Sequence, residues 1–102
     1  MAKKKIVSLA TKKEREIDYG KRFEKSLKLS KKRKKDLNKI FSLIEILRKD
    51  GEIAPHHRNH KLSGNFEGCW ELHIEPDWLL IYKKIDGKLL LIETGSHTDL
   101  FD

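Results

Sequence analysis

Residues 69–94, CWELHIEPDWLLIYKKIDGKLLLIET, decide the fold. Trp70, Leu72 and Ile74 alternate with Glu71, His73 and Glu75, the period of a strand with one buried and one polar face. Pro76-Asp77 then turns the chain into an apolar run, and Asp86-Gly87 turns it again; Asp-Gly between two such runs is a strong hairpin signal. The reading is three strands, Cys69–Glu75, Trp78–Ile85 and Lys88–Thr94, paired as an antiparallel meander. The middle strand is apolar on both faces over its first half, so one face packs on other elements and the opposite face is partly covered. With Trp70, Leu72 and Ile74 turned toward the core, His73 projects from the other side.

Upstream of the meander the period changes. Leu37, Ile40, Phe41, Ile44 and Leu47 fall at helical spacing and predict one buried stripe. Ser30 is the expected N-cap of that helix, which starts in KKRKK, and Gly51 its left-handed terminator. Phe23 and Leu27 predict an earlier helix over about Lys21–Leu29, and the alternation in REIDY, residues 15–19, predicts a short strand broken by Gly20. From Glu52 to Gly68 the chain is polar, holds Pro55, Gly64 and Gly68, and reads mostly as loop. The expected fold is therefore α+β, an N-terminal helical hairpin packed on a small antiparallel sheet. Residues 1–14 read as a basic extension without fixed structure, apart from a short strand at Ile6–Leu9, and residues 15–102 as one domain.

Charge is unevenly spread. Residues 1–35 hold 15 Lys or Arg against 4 Asp or Glu, whereas residues 36–102 hold 8 against 12. Such asymmetry suits a polyanionic partner, since each neutralised phosphate releases a condensed counterion. A solvated basic helix or an acidic protein partner accounts for the same run. The chain lacks an apolar stretch of transmembrane length and a signal-peptide core. Its lone cysteine, Cys69, rules out an intrachain disulfide. These features predict a cytoplasmic protein with no membrane role.

Five histidines, at positions 56, 57, 60, 73 and 97, are many for 102 residues. Imidazole both takes and gives a proton near neutrality. RNA cleavage needs that pairing: a base removes the 2′-hydroxyl proton and an acid protonates the departing 5′-oxygen. A zinc reading of His56, His60, Cys69 and His73 has suitable residue types. Cys69 and His73, however, stand roughly 13 Å apart along one strand, too far to share an ion without a bulge. No metal and no cofactor are expected.

NHKLSGNFEG (59–68), HIEPDWLLIY (73–82) and TGSHTDLF (94–101), in that order after a helical hairpin, resemble the signature blocks of YafQ-type toxins in the RelE/ParE superfamily. The resemblance spans about residues 15–102. It implies the RelE-like microbial RNase fold and a ribosome-dependent endoribonuclease that cuts mRNA in the ribosomal A site, with a cognate antitoxin as its second partner. Carried over by position, it implies catalytic roles for His60, His73, Asp77 and His97. His97 is the proton donor to the leaving oxygen, His60 and His73 are candidates for the base and for phosphate contact, and Asp77 orients an imidazole. It also implies RNA contacts for Trp78 and Phe101, with Phe101 stacking on a base.

Two positions depart from the family pattern: Glu93 and Trp70 stand where arginines are usual. Both changes remove positive charge, and losing one transition-state donor costs roughly 10²–10³ in rate. Lys61, Lys83 and Arg58 are the candidate replacements. Two other functions fit the same chain: a gyrase-directed toxin on the same fold, and a non-catalytic basic protein that binds RNA or ribosomes.

Overall fold

The computed structural model describes residues 14–101. The expected strand at Ile6–Leu9 and nearly all of the basic extension lie outside the described residues; Glu14 is described, and its carboxylate meets Arg48 at 2.8 Å. The elements are β1 (Glu16–Tyr19), α1 (Lys21–Lys32), α2 (Leu37–Arg48), β2 (His60–Lys61), β3 (Trp70–Glu75), β4 (Trp78–Ile85), β5 (Lys88–Gly95) and α3 (His97–Phe101). Short 3₁₀ turns cover Pro55–His57 and Gly64–Phe66.

The meander forms as read, with Leu72 opposite Leu80 and Lys84 opposite Leu89. The full sheet has five strands in the order β1-β5-β4-β3-β2. It is mixed, because β1 joins β5 in parallel, Ile17 beside Leu89 and Tyr19 beside Leu91. A parallel neighbour needs a long crossover, and the α1–α2 hairpin lies within that connection. β2 is a two-residue edge strand in the segment expected to be loop, and it pairs His60 with Glu71.

Sheet and helices share the main core: Phe23, Ile40, Leu43, Ile44 and Leu47 pack with Leu72, Ile74, Trp78, Leu80, Tyr82, Leu89 and Leu91. A 12-residue helix is marginal alone, so α2 depends on this contact; each buried aliphatic contributes about 1.5–3 kcal/mol. Its buried stripe is Ile40, Leu43, Ile44 and Leu47, whereas Phe41, expected inside, is 48% exposed. The stripe is rotated because the sheet lies under Leu43, a position the apolar spacing alone does not separate from Phe41. A second, smaller core of Cys69, Leu79, Ile81 and Leu100 covers the opposite sheet face, bordered by Leu62, Phe66 and Ile92. β4 is buried on both sides, as its sequence predicts.

Helix ends differ from expectation. α1 runs past Leu29 to Lys32, and Ser30 is buried within it, its hydroxyl donating to the Ser26 carbonyl at 3.1 Å. A serine can bond back one turn and stay helical, so Ser30 caps nothing. Asp36 caps α2 instead, its side chain accepting from the Asn38 N–H at 3.0 Å. At the end of α2 the left-handed residue is Asp50, φ 54°, rather than Gly51. Gly51 supplies room: its N–H donates to the Ile46 carbonyl at 2.8 Å, and a Cβ there would lie 3.0 Å from the Ile46 side chain.

Candidate active site

The open sheet face carries the site. His73 and Glu71 share one face of β3, two residues apart. A bulge lies between His73 and Glu75, a feature that re-aims side chains beside functional sites. Edge strand β2 sets His60 against Glu71, and the rings of His60 and His73 are 6.3 Å apart at their centroids. α3 supplies His97, whose ring lies 5.7 Å from that of His73. Three imidazoles from three elements thus stand in one row.

Helix α3 follows directly from β5 through a capping box. The Ser96 N–H donates to Asp99 Oδ2 at 2.9 Å and the Asp99 N–H to Ser96 Oγ at 3.1 Å. The residues from His97 to Phe101 form this short helix, held down by Leu100 in the smaller core. Arg33, the residue that follows α1, grips the Asp99 carboxylate at 2.6 and 3.2 Å. That hydrogen bond, with the Ser96 backbone, holds the carboxyl down at about 2.

His97 is fixed by Asp77 from the β3–β4 turn. Asp77 Oδ1 accepts from the His97 backbone N–H at 2.9 Å and meets its Nδ1 at 2.6 Å. The backbone bond first, and the ring second, hold the Asp77 carboxyl below its ordinary value. With Nδ1 donating to a carboxylate, Nε2 is the nitrogen without a protein hydrogen-bond partner among the described residues. His60 Nδ1 donates to the Arg58 carbonyl at 2.6 Å, while its Nε2 lies 3.2 Å from Glu71 Oε2. The same oxygen is 3.7 Å from His73 Nε2. Glu71 is only 4% exposed, and its second oxygen is buried without a hydrogen bond. His57 Nδ1 donates to the His73 carbonyl at 2.6 Å, and the Tyr82 hydroxyl donates to Asn59, tying the segment before His60 to β4. Burial pushes the Tyr82 phenol up to about 12.

Beside this row opens a cleft of about 530 Å³ lined by His56, Arg58, His73, Ile74, Glu75, Pro76 and His97. Of the expected site residues, His60, His73, Asp77 and His97 come together. Phe101 is 46% exposed on the same short helix as His97 and meets Phe66 edge-on. Lys61 sits over the Trp70 ring, 5.8 Å from its centroid. Lys83 lies beside Gly68, at the far end of β4 from the Asp77 turn. Trp78 is a correction: it is 1% exposed in the main core, on the helix side of the sheet, with no face to offer a base. Sequence reading passed over Glu71, although its two-residue offset from His73 on a strand was the available signal. Cys69 belongs to the smaller core, and among the described residues no group of three or more His, Cys, Asp or Glu is arranged to hold a metal.

Residues 15–102 match the model of the family described as bacterial toxin of type II toxin-antitoxin system, YafQ. The chain is 39% identical over 89 residues to the mRNA interferase toxin YafQ of Escherichia coli K12, covering 86% of this chain and 97% of that protein. The crystal structure of YafQ from Escherichia coli BL21(DE3) superposes with a TM-score of 0.82 at 37% identity, over 86% of this chain and 99% of that one. The Escherichia coli DinJ-YafQ toxin-antitoxin complex gives 0.80 at 38% identity, over 87% and 99%. Fold, site and similarity define a small α+β bacterial toxin of the type II toxin-antitoxin class. Within that class, the chain belongs to the YafQ family.

Proposed function

We propose that this toxin is a ribosome-dependent endoribonuclease that cuts mRNA in the A site by imidazole acid–base catalysis. The observation that carries the reading is the row of His60, His73 and His97, with centroid spacings of 6.3 and 5.7 Å, Glu71 between the first two rings and Asp77 on the third. A similar toxin named as an mRNA interferase supports the reaction class, and the DinJ-YafQ complex supports an antitoxin as the controlling partner.

Roles follow from hydrogen bonding. His97, its Nδ1 held by Asp77, presents Nε2 as the acid that protonates the 5′-oxygen. Both nitrogens of His60 face acceptors, which fixes its ring for contact with the phosphate. His73 is left as the base for the 2′-hydroxyl, with Glu71 behind it to stabilise the imidazolium that forms. Arg58 adds a guanidinium to the cleft, and Phe101 stacks on a base. This scheme assigns both proton transfers to protein groups and calls on no metal. The site of action is the cytoplasm, where translating ribosomes are, and no helix among the described residues is long and apolar enough to cross a membrane.

Mapping transcript ends after induction tests the proposal. Cuts should fall within codons of translated messages and leave 2′,3′-cyclic phosphates. The His97→Ala variant, altered at an exposed position, should fold normally and cut about 10²–10⁴ times more slowly. Undiminished toxicity of that variant would remove the proton-donor role, and DNA breaks with translation intact would point to gyrase instead.

A further inference from the structure

At position 93, where the family pattern calls for arginine, this chain has glutamate, yet a guanidinium reaches the same place by another route. Arg22, in the first turn of α1, has its Nε 2.8 Å from Glu93 Oε1, a charge contact without hydrogen-bond alignment that leaves the buried Oε1 with no hydrogen-bond partner. Its Cζ lies 5.7 Å from the Phe66 ring centroid. Phe66 in turn meets Phe101 at 5.7 Å with the planes at 81°. Guanidinium and two phenyl rings form one contiguous surface, ending one helical turn from His97 on α3.

The placement of Arg22 runs against local preference. A cation in the first turn of a helix faces the positive end of the backbone dipole. The Glu93 carboxylate, 16% exposed, is largely withdrawn from water and needs a partner. The two groups compensate each other. What results is a guanidinium held at the surface, its side chain 62% exposed and in no other ion pair among the described residues. A held guanidinium next to an exposed aromatic ring is suited to a nucleotide: its N–H edge forks onto phosphate oxygens while the ring stacks on a base.

We propose that Arg22, oriented by Glu93 and Phe66, binds a backbone phosphate of the RNA strand whose neighbouring base stacks on Phe101. The assignment rests on the nuclease reading above and supplies the cation that position 93 lacks. Glu93 is then a positioning residue, and Arg22 replaces from the helix what the family pattern supplies from the sheet.

Two readouts test this: steady-state cleavage on mRNA-programmed ribosomes, and anisotropy of a short labelled single-stranded RNA across a salt series. Arg22→Ala should raise KM and Kd about tenfold. It should also lower the slope of log Kd on log salt by about 0.7, the value for one phosphate contact on a single strand. Arg22→Lys should keep the slope and recover part of the affinity. Glu93→Gln keeps an amide oxygen beside Nε and Phe66 under the guanidinium while it removes the opposing charge, so it should leave the slope as in wild type and tighten binding. Lys28→Ala takes the same charge from an exposed position of α1 and should move the slope less. Wild-type affinity and slope in Arg22→Ala, or an equal effect of Lys28→Ala, would overturn the assignment. If RNA binds in an Arg22-dependent way but is never cut, the nuclease reading falls and Arg22 keeps its role. If RNA is cut and Arg22→Ala changes neither KM nor slope, only the Arg22 assignment falls.

Discussion

Replacing Gly95 with alanine isolates the joint between sheet and site. Gly95 ends β5 two residues before His97, with φ 158°. An added Cβ would stand 2.9 Å from both Asp99 Cβ and Asp99 Oδ2, where relaxed carbon contacts need about 3.5–4.0 Å. The neighbours must therefore part by at least about 0.6 Å. Asp99 has little freedom, because Arg33 and Ser96 hold both of its oxygens. Strain of this kind costs about 1–3 kcal/mol, and a domain of this size loses roughly 4–8 °C in Tm per kcal/mol. The displaced element is α3, which carries His97, and misplacing a catalytic group by about 1 Å costs about 10² in rate. Gly95→Ala should thus remain folded, melt roughly 5–20 °C lower, and cleave about a hundredfold more slowly. Thermal unfolding followed by circular dichroism, run beside reporter-transcript cleavage in cell-free translation, reads both effects. A variant with the wild-type Tm and full cleavage rate would refute the claim that Gly95 fits β5 to α3.

The Asp99 carboxyl, held at about 2 by Arg33 and Ser96, makes its contribution acid-sensitive. Its unfolded value is near 3.9, so the contribution is whole above about pH 4 and disappears as pH falls through about 2. The Tm difference between wild type and Asp99→Asn should accordingly be largest at neutral pH and close at acid pH; a constant gap would contradict the assignment. In the main core, Leu80 is 0% exposed, and Leu80→Ala should cost about 2–5 kcal/mol in urea unfolding. A loss below about 1 kcal/mol would mean that β4 is packed more loosely than described.

The legible part of this chain is the part that short-range pattern encodes. Alternation and two turn dipeptides delimit the meander to within a residue at each strand end, because strand period and turn chemistry are local. Helix faces and ends are less so. Phe41 and Leu43 are equally apolar, and only the sheet beneath α2 buries one and leaves the other in water. Ser30 has the chemistry of a cap, yet its hydroxyl is equally able to bond back within a helix, and the contacts of α1 decide which. Trp78 follows Asp77 in a family motif, but β4 turns its ring into the main core, away from the imidazoles.

By itself, the sequence determined the α+β class, the boundaries of the meander strands and, through the resemblance of its motifs, the family and the histidines that belong together. Residue types, order and spacing carry all of these. Only the tertiary structure decided that β1 runs parallel to β5, that Glu71 lies between His60 and His73, and that Arg22 reaches Glu93 from 71 positions away. Each of these depends on through-space distance between segments far apart in the chain, which packing sets and no local period records.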